Sequence, residues 1–322
     1  MNESAERYSQ YAIVDIGANS VRMNLYEIDT ETGDYTVTSS ARSMLGLAAY
    51  VENGALTADG KGKLFAVLRE FLARANSVPC DRFSAFATAS LRGLRDADRI
   101  LADIRTRLGV EIEIISGQTE AQFDLDAIRY RFPDVPHGVV LDMGGGSTEI
   151  VPFRNGTALS LDSLPIGCVA LTKKFASCTK KSPFPSEKEM DDIRAYVRDV
   201  LSAHSALRGI GGTAFLIGGT GRAAAKLQLA KTGETLTDGY RFSADALRET
   251  AEAAWADART GGALLQKIVP DRLTSILPGL YAYLEIASYL GLSDFIISAA
   301  GVREGYLLNV IRKEILRTVP ES

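Results

Sequence analysis

Apolar positions along this chain fall into short runs of strand length, separated by segments of helical period, and the order of the two kinds repeats. Ile13 to Ile16 and Val140 to Met143 are apolar except for one aspartate each, Asp15 and Asp142. Each run gives way to a glycine-rich turn, Gly17-Ala18-Asn19-Ser20 in the first and Gly144-Gly145-Gly146-Ser147 in the second. Strand-like residues follow both turns, Val21 to Ile28 and Glu149 to Phe153, so each copy predicts a β-hairpin with a glycine-rich tip. Glycine at such a tip lets successive N–H groups point at one spot with no Cβ in the way, which makes an anion-binding concavity. Two such tips facing each other would grip a phosphate chain.

The periodicity between the hairpins predicts a strand-rich region to about Ser39, a helix capped by Thr57 and ending at Ala75, and a strand over Phe83 to Ala87. A helix from about Asp96 to Leu108, a strand over Val110 to Ile115 and a helix over Thr119 to Arg131 complete the first half. The plan restarts at Gly138, which points to an internal duplication. The second half predicts a helix over Glu187 to Ala203 and a strand, Phe215 to Ile217, running into a turn at Gly218-Gly219-Thr220-Gly221-Arg222. A helix over Ala223 to Leu229, a strand over Phe295 to Ser298 and a final helix from about Tyr306 to Arg317 follow. Alternation of this kind implies an α/β architecture with mixed sheets. The most apolar long stretch, Ile276 to Leu292, holds Pro278 and Glu285 and reads as a buried helix, not a membrane span.

At 322 residues the chain is long enough for two domains, since a single core stops growing near roughly 250–300 residues. A net charge of −4 argues against a general nucleic-acid surface, so a polyanionic ligand needs a local basic pocket. The three cysteines, Cys80, Cys168 and Cys178, have no paired spacing and suggest neither a disulfide framework nor a zinc site. With an N-terminus lacking a signal-peptide pattern, they suit a reducing cytoplasm. The two histidines, His137 in a turn and His204 on a polar stretch, read as surface residues and leave little room for a histidine-based metal centre or a Ser-His-Asp triad.

Seven strings occur in order along nearly the whole chain: the tip Asp15 to Arg22, Ala87-Thr88-Ala89-Ser90-Leu91-Arg92, Glu111 to Ala121, Asp142 to Val151, Ser163 to Thr172, Ile217 to Arg222 and Ala300 to Gly305. In that order they resemble the exopolyphosphatase and guanosine pentaphosphate phosphohydrolase family, in its short two-domain form. The resemblance implies the superfamily of actin-like ATPases, Hsp70 chaperones and sugar kinases. The implied fold is α/β, with duplicated actin-like ATPase (ribonuclease H-like) domains around a central cleft. Domain I is expected over residues 1–125, with a helix over 306–322 packing back on it, and domain II over 126–305. The implied activity is metal-dependent hydrolysis of a phosphoanhydride, with inorganic polyphosphate or guanosine pentaphosphate as substrate, no nucleic acid or membrane as partner, and homodimerisation as an expectation.

The same resemblance assigns roles by position. The second acid of the family's Ile-Ser-Gly-x-Glu-Glu-Ala segment, its catalytic glutamate, falls on Glu120; the first falls on Thr119, a departure. Taken alone, Glu120 reads first as an acidic first-turn residue that complements a helix dipole. Arg92 stands where the family places a phosphate-contacting arginine, and Glu149 where it places a residue of the metal and water environment. Asp15, Asp142 and Glu149 suit Mg2+, with Mn2+ as an alternative and K+ as a further cofactor left open, because hard cations take oxygen ligands. A buried carboxylate at the end of an apolar strand needs a cation or N–H donors, so each aspartate could instead accept hydrogen bonds from its own turn. Gly17, Asn19, Ser20 and Arg22 in the first hairpin are expected to hold phosphate, as are Gly144, Gly145, Gly146, Ser147 and Thr148 in the second. Gly218, Gly219 and Thr220 are expected to border the phosphate end of the site. Their rival reading as a dinucleotide fingerprint, Gly219-x-Gly221-x-x-Ala224, lacks the second strand ending in an acid. Ala18 stands where the family usually has a hydroxyl residue and Ala170 where it often has a basic one. A kinase of the same superfamily and a non-catalytic sensor are the alternatives to hydrolysis.

Overall fold

The computed structural model describes residues 7–179 and 181–311. The chain divides into two compact units: one holds the described residues up to Phe123 together with those from Arg303 onward, the other is Asp124–Val302.

In the first unit, β1 (Tyr8–Ile16), β2 (Val21–Asp29) and β3 (Tyr35–Ser43) form an antiparallel meander, and a two-residue ribbon, β4 (Val51–Glu52) with β5 (Ala55–Leu56), follows it. Strands β6 (Arg82–Ala87) and β7 (Ile112–Ile114) then add parallel to β1, giving the order β3-β2-β1-β6-β7. Thr57 caps the helix Ala58–Ala75 through its side chain, which accepts from Gly60 N at 3.2 Å. That helix and the helix Ala97–Leu108 bury Leu64, Leu68, Phe71, Ile100 and Ile104 against the sheet residues Val14, Ile16 and Met23.

The second unit repeats this plan. Strands β8 (His137–Met143) and β9 (Thr148–Arg154) form the hairpin. Two short strands, β10 (Thr157–Ala158) and β11 (Asp162–Leu164), pair in turn with β9 where β3 pairs with β2. Beyond β8 come β12 (Gly212–Ile217) and β14 (Leu292–Ile297), both parallel, with β13 (Arg241–Ser243) antiparallel on the edge. The shared order, a hairpin followed by parallel strands on the β1 or β8 side, is the duplication expected from the sequence. The apolar helix Ile276–Leu290 is buried in this unit's core, with Glu285 held by Arg194 at 2.7 Å and Arg198 at 3.0 Å. Among the described residues no helix is long and apolar enough to cross a membrane.

Three sequence expectations change. Gly218–Arg222 is not a loop before a helix at Ala223: the helix spans Gly218–Leu229, with Ile217 extended and Gly218 at φ +80° making the corner. The last helix begins earlier, at Val302, and continues as a π turn over Leu307–Ile311; the expected continuation to Arg317 lies outside the described residues. His204 is half-buried, with Nδ1 3.0 Å from the Val200 carbonyl, whereas His137 is exposed at the start of β8.

Candidate active site

Each hairpin tip closes with the same bond, Gly17 N to Ser20 O at 3.1 Å and Gly144 N to Ser147 O at 3.0 Å. Each tip is then tied from behind. In the first unit Gly46 N donates to Asn19 O at 2.8 Å and Ala48 N to Ala18 O at 3.0 Å. In the second, the opening N–H groups of the helix Cys168–Phe175 do the same: Cys168 N reaches Gly144 O at 3.1 Å, and Val169 N and Ala170 N reach Gly145 O at 3.0 and 2.8 Å. A peptide unit is planar with its C=O and N–H pointing opposite ways, so a tethered carbonyl turns the next residue's N–H outward. The outward groups are those of Asn19 and Ser20 in one tip and Gly145 and Gly146 in the other, the arrangement that cups an anion. Gly167 makes the second tether feasible: a Cβ there would lie 2.5 Å from Ser147 N and 2.6 Å from the Gly145 carbonyl carbon.

In the second unit Asp142 and Glu149 are direct cross-strand partners, so their side chains leave the same face of the sheet. Glu149 is buried, and two hydroxyls converge on its Oε1, Ser147 at 2.8 Å and Ser163 at 2.7 Å. The helix Gly218–Leu229 starts beside Asp142, so close that a Cβ on Gly218 would collide with Asp142 Oδ1. Two expected substrate contacts have their side chains engaged elsewhere. Thr148 Oγ1 donates to Ile166 O at 3.1 Å and Thr220 Oγ1 to Met143 O at 3.2 Å, so these hydroxyls brace the loop. What Gly218 and Gly219 offer is the N-terminus of a helix, where backbone N–H groups have no intrahelical acceptor. Burial, then the Asp142 charge, pushes the Tyr283 phenol well above its ordinary range.

The first unit joins Arg92 to the buried Glu120 in a part-buried ion pair. Glu120 sits in the first turn of the helix Gly117–Arg131, its N–H donating to Ser116 O at 2.9 Å. Ser116 caps this turn, accepting from Thr119 N at 3.0 Å and lying 2.8 Å from Thr119 Oγ1. Thr119, the departure from the family pattern, is therefore part of the cap. Arg22 Nε donates to Ser20 Oγ at 3.2 Å. Asp15 faces Arg303 at 3.7 Å, and burial pushes its carboxyl up against the opposing pull of Arg303 and Arg22. Behind Arg303, Glu304 accepts from Tyr26 Oη at 2.5 Å and Asn24 Nδ2 at 3.2 Å. Burial, which lowers it, is outweighed at Arg303 by Glu304, Tyr26 and Asp15, so its guanidinium is held above its ordinary range. Among the described residues, the buried nitrogens Asn19 Nδ2, Arg92 Nε and Arg303 Nε have no hydrogen-bond acceptor in the protein.

A family model, that of the Ppx/GppA phosphatase family, matches residues 28–314. The chain belongs to the Ppx/GppA phosphatase family. As a member it is a hydrolase, and its two repeated units are mixed α/β, each built on a hairpin extended by parallel strands. A crystal structure of an Aquifex aeolicus Ppx/GppA family member is similar to it at 24% identity and a TM-score of 0.76, covering 95% of this chain and 99% of that one. An exopolyphosphatase from Cytophaga hutchinsonii, 17% identical, aligns with a TM-score of 0.83 over 95% of this chain and 98% of its own. An exopolyphosphatase-like protein, 21% identical, gives 0.79 over 94% and 98%.

Among the described residues, no three histidine, cysteine or acidic side chains gather closely enough to hold a cation. The pair Asp142 and Glu149 nonetheless fits Mg2+, which is usually bound by one or two carboxylates, retained waters and substrate phosphates, not by a full protein cage. Asp15, expected as a third ligand, lies 3.7 Å from the Arg303 guanidinium. Sequence reasoning did not single out Ser163, whose register opposite Glu149 is visible only once β11 pairs with β9.

Proposed function

We propose that this phosphatase releases terminal orthophosphate from a linear phosphoanhydride polyanion, with inorganic polyphosphate the first-choice substrate and guanosine pentaphosphate the second. The observation that supports this most is the Arg92–Glu120 pair, a buried carboxylate beside a part-buried guanidinium whose buried Nε has no acceptor. Hydrolysis of a phosphoanhydride needs an aligned water and fixed positive charge for the phosphoryl oxygens, and this pair supplies one group for each.

In this reading the outward N–H groups of the two glycine tips bind phosphate units, with Arg22 and Asn19 adding side-chain donors. Glu120 accepts a proton from a water as the water oxygen bonds to the terminal phosphorus. The bridging P–O bond breaks, and its electrons leave with the shortened chain. Arg92 holds the charge that spreads over the phosphoryl oxygens. Asp142 and Glu149 would hold Mg2+, which when bound offsets phosphate charge.

The test compares orthophosphate release from polyphosphate, from guanosine pentaphosphate and from ATP, with Mg2+ and no acceptor. Steady release from either of the first two supports the reading. Phosphate transfer from ATP that appears only when an acceptor alcohol or acid is added would replace it with a kinase.

A further inference from the structure

We infer that Ser163 is a positioning residue that fixes the rotamer of Glu149 and so decides which carboxylate oxygen meets the cation or water. This rests on the reading of Glu149 as part of the metal and water environment. A carboxylate oxygen has two in-plane lone-pair sites. Ser147 Oγ at 2.8 Å and Ser163 Oγ at 2.7 Å both donate to Oε1, which fills those sites and leaves Oε2 as the oxygen through which Glu149 meets anything else.

The duplicated half supports tying this hydroxyl to the carboxylate. Arg22 occupies in the first hairpin the place that Glu149 occupies in the second, each directly across from the strand-ending aspartate. Both bond the serine of their own tip, Ser20 or Ser147. The residue across from Arg22 on the third strand is Arg42, whereas the one across from Glu149 is Ser163. Where the hairpin carries a donor, the residue facing it on the third strand has no hydroxyl; where it carries an acceptor, the facing residue has one. Residues that orient a metal-bound side chain typically alter metal affinity or activity by about 10–100-fold when lost.

The experiment measures Mn2+ binding to the substrate-free protein by calorimetry, beside Mg2+-dependent turnover, for S163A, S163V, S163T and E149Q. Thermal melting verifies that each is folded. S163A and S163V should bind Mn2+ about 10–100-fold more weakly, while S163T, which keeps the hydroxyl in the shape of valine, should stay within about threefold of wild type. If E149Q loses binding and turnover but S163A and S163V match wild type, this inference falls and the reading of Glu149 stands. If E149Q itself binds Mn2+ and turns over like wild type, both fall. S163T as weak as S163V would also overturn the inference, because the loss would follow shape and not the hydroxyl.

Discussion

Arg22 and Glu149 are the same position of a duplicated hairpin, occupied by opposite charges: one lies across from Asp15, the other across from Asp142, and each is bonded to its own loop serine. In the function proposed above, the copy that carries arginine meets the phosphate chain and the copy that carries glutamate meets the cation. Arg22→Ala should therefore raise KM for polyphosphate by about 10–100-fold, the worth of a hydrogen bond to a charged group, with kcat changed far less. Steady-state kinetics at fixed ionic strength reads the split; an unchanged KM would remove Arg22 from the substrate.

The second tip depends on the absence of a side chain at Gly167. Gly167→Ala would push a Cβ into the backbone of Gly145 to Ser147 and slacken the tethers from Val169 and Ala170. A loss of about 1–3 kcal/mol in denaturant unfolding is expected, together with a higher KM. Wild-type stability and kinetics would mean that the loop does not need this close approach.

Glu304 accepts from both Tyr26 and Asn24 in the interior of the first unit. Glu304→Ala leaves both donors without it and should cost about 2–5 kcal/mol, while Glu304→Gln, which keeps an acceptor oxygen, should cost clearly less. Urea titrations of both variants measure the difference. Equal losses would show that charge, not hydrogen bonding, is what Glu304 contributes.

Burial, with a smaller contribution from Glu189, pushes the Cys178 thiol up to about 11. Below the ordinary thiol pKa of about 8.5 both folded and unfolded chains keep the proton, so stability is indifferent to this group. Above it the unfolded chain ionises first, and the fold loses stability as pH climbs toward 11. Alkylation of Cys178 at pH 8 should accordingly be slow, and a Cys178→Ser variant should lose less stability between pH 8.5 and 10.5 than wild type. Rapid labelling at pH 8 would contradict this.

Local chemistry was legible wherever it decided the structure. The Thr57 cap, the glycine tips and the helix carrying Glu120 follow from caps, turn residues and period alone. The helix at Gly218 was not, because its glycine-rich opening imitates a loop; burial of Thr220, Gly221 and Ala223 to Ala225 in the core outweighs the low propensity of its first turn. The early start at Val302 has a similar cause, since Gly305 packs so tightly on the Phe123 carbonyl that no Cβ would fit. Within the candidate site, the pairing of Asp15 with Arg303 and the meeting of Ser163 with Glu149 join residues far apart in sequence. No motif spacing encodes them; sheet register and tertiary packing do.

In the proposed hydrolysis Glu120 is the group that takes the proton from water. Orthophosphate release from polyphosphate in Mg2+ by wild type and by Glu120→Gln, with melting temperatures matched, tests this directly. The glutamine should lower kcat by about 10²–10⁴-fold, the usual contribution of a general base, while polyphosphate still binds. Turnover within a few-fold of wild type would contradict the assignment and the mechanism built on it.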